Sequence, residues 1–102
     1  MTKKIFKSGL KKENINKTRF DLIPIEILDE IAKQFMYGAK KYGKDNWKLG
    51  NKNEIHIFKE AALRHTLKWV HNIKDKDNHS AAAITNIIMY QWLIKYNEKN
   101  KF

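Results

Sequence analysis

The sequence contains no cysteine, which removes any disulfide framework and any thiolate metal site. No stretch approaches the ~18 consecutive apolar residues of a membrane-spanning helix. The N-terminus is basic yet lacks the apolar run of a signal peptide, so a soluble, cytoplasmic chain is expected. No segment alternates apolar and polar residues with period two, so little sheet is expected. Arginine is scarce. Nineteen of the 21 basic residues are lysine, leaving only Arg19 and Arg64 for the bidentate contacts that nucleic-acid readers favour, so duplex nucleic acid is a poor fit as partner. There is also no Walker loop, no His-Asp pair, no nucleophile elbow and no zinc spacing.

What remains is 102 residues, enough for one small domain with a modest core that oligomerisation would help to complete. The net charge of +10 is concentrated at the N-terminus, where the first 19 residues hold seven basic side chains against one acid, Glu13. Residues 1–20, with scattered Ile5, Phe6, Leu10, Ile15 and Phe20, read as a basic arm that is mobile or ordered by docking. Residues 21–98 read as an all-α domain, a small bundle of about three main helices. The only proline, Pro24, suits the first turn of a helix, and Asp21 stands where a carboxylate can cap it. Ile25, Leu28, Ala32, Phe35 and Ala39 follow helical spacing, which predicts a helix from Ile25 to about Lys41 that stops at Gly43. Residues 43–53 read as a loop pinned by Trp47 and Leu49. A second helix is expected from about Glu54 to Ile73. A third, nearly apolar all round, starts at Asn78 or Ser80 and runs to about Tyr96. A helix with no polar face is central in its fold or buried in an oligomer.

Several constellations could carry chemistry. Arg19 and Asp21 flank a helix start, where backbone N–H groups favour anions; Arg19 grips a phosphate there or simply pairs with Asp21. In Tyr37-Gly38-Ala39-Lys40-Lys41-Tyr42-Gly43, lysines between tyrosines offer positive charge and stacking surfaces, or a plain solvated helix end. Gly38 inside a helix suggests close packing or backbone approach. On the second helix Glu60 and Arg64 stand in the favoured i,i+4 ion-pair order, with His65 and Trp69 one turn apart. On the third, Asn86 interrupts an apolar surface and needs a specific partner, a ligand base edge or a neighbouring backbone. Carboxylates are few. Glu26, Asp29 and Glu30 read as acidic first turns, Glu60 is the best single metal carboxylate, and Asp75 and Asp77 lie in a turn.

The stretches Lys17-Thr18-Arg19-Phe20-Asp21-Leu22-Ile23-Pro24, Tyr37 to Gly43 with Asn46-Trp47, Ala62-Leu63-Arg64-His65 with Trp69, and His79 with Asn86 resemble the phage dATP/dGTP diphosphohydrolase N-terminal-type domain family. The resemblance covers roughly Lys17 to Leu93. It implies a purine nucleotide as ligand, in a phage or prophage protein of the bacterial cytoplasm. All-α, MazG-like pyrophosphohydrolases hold Mg²⁺ on paired carboxylates, and this chain lacks a full four-carboxylate set. Where the family carries a second histidine three residues after the one matching His79, this chain has Ala82.

Two functions follow. A diphosphohydrolase would cleave a purine nucleoside triphosphate to monophosphate and pyrophosphate. His65 or His79 would transfer the proton and Glu60 would hold Mg²⁺ or Mn²⁺. Arg19, Lys40, Lys41 and Arg64 would grip phosphates, and Tyr37, Tyr42, Trp47 and Trp69 would pack the base, with Asp21, Asn46 and Asn86 in the same binding set. The alternative is a non-catalytic sponge that needs no cofactor and sequesters a nucleotide immune signal of cyclic or ADP-ribose type. Both place a homo-oligomer around one basic, aromatic pocket.

Overall fold

The computed structural model describes residues 2–97 apart from Phe6 and Ile15, and for residues 2–4, 13 and 14 the backbone alone. Phe6, Ile15 and the end of the expected domain at Glu98 lie outside the described residues. Two short strands, β1 (Thr2–Ile5) and β2 (Lys11–Asn14), are followed by α1 (Ile25–Tyr42), α2 (His56–Val70) and α3 (His79–Tyr96). Single 3-10 turns sit at Phe20–Leu22 and Asn46–Leu49. The architecture is a small all-α bundle with a hairpin at its N-terminus.

Within the basic arm, Thr2–Ile5 and Lys11–Asn14 form a short hairpin that the sequence pattern does not announce. β1 and β2 pair antiparallel, with Ile5 opposite Lys11, and Gly9 in the turn takes φ 90°, which a side chain would resist. Lysine fills both strands in runs, so side-chain alternation could not announce them; backbone pairing alone forms the ladder.

The boundaries of α1 and α3 fall where capping chemistry puts them. Gly43 closes α1 at φ 97°, its N–H donating to the Ala39 carbonyl. Asn78 caps α3 through its side-chain oxygen, which accepts from the Ala81 N–H. α2 is shorter than expected at both ends. Glu54 turns back so that its carboxylate accepts from the Asn51 N–H, and Asn72 takes a left-handed φ of 53° that ends the helix before Ile73. Asp21 does not cap α1: its carboxylate is taken by Arg19, and the cap position, Pro24, has no side-chain hydrogen bond.

The core lies between α2 and α3. Leu93 is fully buried, and Ala81, Ala82 and Ala83, on successive sides of α3, are buried small side chains that let its neighbours approach closely; Ala62 of α2 and Ile55 just before it are buried too. Trp47 joins the rest. Its ring lies 5.3 Å from Trp92, edge to face, and 6.0 Å from Phe35, so the loop and α1 are tied to α3. Leu49 does not share this role and is exposed. Gly38 is not a point of close packing either, since a Cβ there would meet nothing within 4 Å. No residue of α1 is buried, and the protomer is elongated at 56 × 35 × 24 Å. Its radius of gyration is 18.7 Å, against the ~13 Å expected of a compact chain of this length. No helix among the described residues is long and apolar enough to cross a membrane.

Candidate functional site

An open groove of about 780 Å³ runs between α1 and the turn that joins α2 to α3. Helical spacing puts Lys33, Tyr37, Lys40 and Lys41 along one wall, while Lys76, Asp77 and Asn78 of the turn form the other. Lys33 is engaged with Asp29 at 3.1 Å, one turn back on α1, which raises its pKa. Lys40, Lys41 and Lys76 have no ion-pair partner among the described residues. Tyr37 is exposed and leaves its ring free at the wall. The opposite wall ends at Asn78, the cap of α3, so the positive end of that helix lies next to the groove. Lysines and a helix N-terminus therefore converge on one concavity, an arrangement suited to phosphate with an aromatic surface beside it.

A second cluster abuts the groove. His79 is buried at the start of α3, and its Nδ1 lies 2.9 Å from Nδ1 of His65 on α2. Between two such nitrogens one ring must donate and the other accept, so the pair shares a single proton. Burial, then His79 and Arg64, push the pKa of His65 below the ordinary histidine value, which favours this neutral pairing. On its far side His79 Nε2 stands 2.8 Å from Asp75 Oδ1, a His–Asp contact that sequence reading did not pair. The contact falls short of a well-directed hydrogen bond, although closeness to His79 does contribute to the lowered pKa of Asp75. Asp75 also accepts from the Asp77 backbone N–H, and this bond is the main cause of its lowered pKa. Asp75, Asp77 and His79 bring their ligand atoms within 4.8 Å of one another, and they border a small hollow that Trp69 also lines.

The expected site residues thus divide. Tyr37, Lys40 and Lys41 share the groove, and His65, Trp69 and His79 gather beside it, the two groups meeting at Asp77 and Asn78. Arg19 and Asp21 are engaged with each other through two 2.7 Å hydrogen bonds. Trp47 is taken up in the core, and Asn86 donates to the Ala82 carbonyl of its own helix. Tyr42, Asn46, Glu60 and Arg64 are exposed and line neither the groove nor the hollow, and Glu60 makes no ion pair with Arg64 among the described residues. Lys33, Lys76, Asp75 and Asp77 are the members that sequence reading left out of the site. The spacing Asp75-Lys76-Asp77-Asn78-His79 was the available signal for the last two, set aside as a charged turn.

The dATP/dGTP diphosphohydrolase, N-terminal, family matches residues 7–101. The chain belongs to that family. No curated protein and no solved structure matches it. The family places the chain in a nucleotide hydrolase-like lineage, and both the groove and the histidine cluster lie inside the matched span.

Proposed function

We propose that the protein binds a purine nucleotide in the groove between α1 and the α2–α3 turn. The phosphates would lie against Lys40, Lys41 and Lys76 near the N-terminus of α3, and the base against Tyr37. The observation that carries this reading is the convergence of these unpaired lysines on one concavity within a dATP/dGTP diphosphohydrolase-type domain. Its volume falls in the roughly 300–1,000 Å³ range of small-molecule sites. An ammonium without a carboxylate partner gains most from a phosphate, because no existing ion pair has to be broken.

Hydrolysis to monophosphate and pyrophosphate is the catalytic form of this reading. His65 and His79 share a proton beside the hollow that adjoins the groove at Asp77 and Asn78, and imidazole is the ordinary general acid–base group. Sequestration without turnover, of a nucleotide-derived signal, is the second form. It is favoured by a lining in which lysines outnumber the two carboxylates, Glu30 and Asp77. In either form we propose a homo-oligomer, because α1 leaves Ile25 and Met36 exposed.

The test mixes the protein with deoxynucleotides and signalling nucleotides, with and without Mg²⁺ or Mn²⁺. Free ligand is measured before denaturation and total ligand after it. Depletion followed by intact recovery identifies sequestration. Conversion of a triphosphate to its monophosphate and pyrophosphate identifies the hydrolase. No depletion and no conversion at millimolar ligand sinks the proposal.

A further inference from the structure

We propose that Asp75, Asp77 and His79 form a divalent-cation site at the α2–α3 turn, suited to Mn²⁺ or Zn²⁺, with His65 as the residue that positions the His79 ring. This site does not rest on the nucleotide reading, because its donors come from the turn and its test uses the metal alone.

The argument begins with His79. Its side chain is 4% exposed, yet its Nε2 makes no hydrogen bond, an orphan polar atom of a kind that folded proteins rarely leave without a purpose. The nearest polar atom, Asp75 Oδ1, is 2.8 Å away but not well directed for a hydrogen bond. That is a poor hydrogen bond and a good pair of neighbouring ligands. Two donor atoms side by side on one cation with bonds of ~2.1 Å sit about 3.0 Å apart in octahedral and about 3.4 Å apart in tetrahedral coordination. The third donor comes from Asp77, and all three ligand atoms lie within 4.8 Å of one another. Opposed ligands on such a cation span roughly 4.2–4.4 Å, so a small rotation of the exposed carboxylates closes the set.

The other side of the ring supplies the second requirement. A ligating histidine must offer a bare nitrogen to the metal, and it usually donates its other N–H to a fixed acceptor. His65 Nδ1 is 2.9 Å from His79 Nδ1. If His79 carries its proton on Nδ1 and donates to His65, its Nε2 lone pair is bare beside the two carboxylates. Two carboxylates neutralise the charge of the ion, and an imidazole favours Mn²⁺ or Zn²⁺ over Mg²⁺ or Ca²⁺, which prefer oxygen throughout. Three protein donors leave open positions that face the hollow beside the groove.

The test is a calorimetric titration of the full chain with Mn²⁺ and with Zn²⁺, in the absence of nucleotide. One cation per chain is expected, with binding at least tenfold weaker in the double variant Asp75→Asn, Asp77→Asn. That variant should keep the circular dichroism of the parent and melt somewhat lower, because Asp75 accepts from the Asp77 N–H, whereas His79→Ala removes a buried side chain. Nitrogen NMR of the metal-free protein should show the His79 proton on Nδ1. The absence of saturable binding, or equal affinity in the parent and the double variant, overturns the site. A His79 proton resident on Nε2, donated to Asp75, overturns the positioning role of His65.

Discussion

α1 and α3 are both 18 residues long, and only α3 contributes buried residues. α1 has the clear apolar stripe of an amphipathic helix, yet none of its residues is buried and Ile25 is 74% exposed. α3 has no polar face, as befits a helix central in its fold, and it supplies Leu93 and three buried alanines. Small residues explain part of the difference. Ala81, Ala82 and Ala83 cost little to surround, while the larger side chains of α1 are only partly covered within the chain. An apolar stripe therefore identifies a face that must be covered, and leaves open what covers it.

The sharpest way to break this comparison is to delete the same kind of side chain from each region. Leu93→Ala should cost ~2–5 kcal/mol, the range for emptying a well-packed core site. Met36→Ala on α1, 66% exposed, should change stability by less than ~0.5 kcal/mol in an isolated chain. Urea denaturation measures both, with sedimentation velocity run alongside. A large loss for Met36→Ala, dependent on protein concentration, would mean that a second copy buries α1.

The second prediction sets the groove against the exposed ion pair at the other end of α1. Replacing Lys40 and Lys41 together by alanine should weaken nucleotide binding by about 10–100-fold, since hydrogen bonds to charged groups contribute ~1.5–3 kcal/mol each and such effects are seldom fully additive. Melting should be unchanged, because both lysines are exposed. Arg19→Ala should leave affinity within about twofold, given that its guanidinium is already held by Asp21 at the surface. Isothermal titration of both variants decides the matter, and the reverse ranking would move the phosphate site to the start of α1.

The sequence made the helices legible because their signals are local. Gly43, Asn78 and the spacing from Ile25 to Ala39 act within one or two turns, and the structure obeys them. The hairpin was illegible because lysine-rich strands carry no alternation. The groove was half legible. Tyr37, Lys40 and Lys41 are contiguous and stood out, while Lys33 and Lys76 join them only once α1 lies beside the turn. The candidates that lie away from the groove share a cause as well. Trp47 and Asn86 are distinctive residue types, and distinctiveness does not reveal whether a side chain faces a ligand, the core or its own helix. Trp47 found Trp92 and Phe35, and Asn86 found the Ala82 carbonyl. The contact of His65 with His79, 14 positions apart, depends on how closely the alanines let α2 approach α3, which no local pattern encodes.

The histidine pair predicts a pH dependence that α1 should not share. The pKa of His65 is lower in the folded chain than in the unfolded one. Between those two values the unfolded state binds more protons, so stability rises with pH through that window. The stabilisation is complete above the unfolded value of ~6.5 and is lost as pH falls towards the folded one. Asp75 adds a separate loss at lower pH, below the ordinary aspartate range, because its folded pKa is depressed too. Urea midpoints should therefore be flat from pH 8 to about 7 and should begin to fall as the pH drops below about 6.5. In His65→Gln that fall should shrink. An unchanged slope would place the titrating group elsewhere in the chain.

The smallest effect should come from Arg64, and it separates the two sides of α2. Arg64 is exposed, and its charge contributes to the depressed pKa of His65 after burial and after His79. Arg64→Ala should therefore raise the His65 pKa only part of the way back towards ~6.5, with melting little changed. His79→Gln should raise it further, because it removes the nearer neighbour and loosens the packing that desolvates the ring. Proton NMR titration of the histidine ring signals measures each shift directly. If Arg64→Ala produced the larger rise, the charge on the solvent side of α2 would govern His65 and the buried contact with His79 would be secondary. The ranking with His79 first places the control of that proton at the α2–α3 interface, where the alanines allow the two rings to meet.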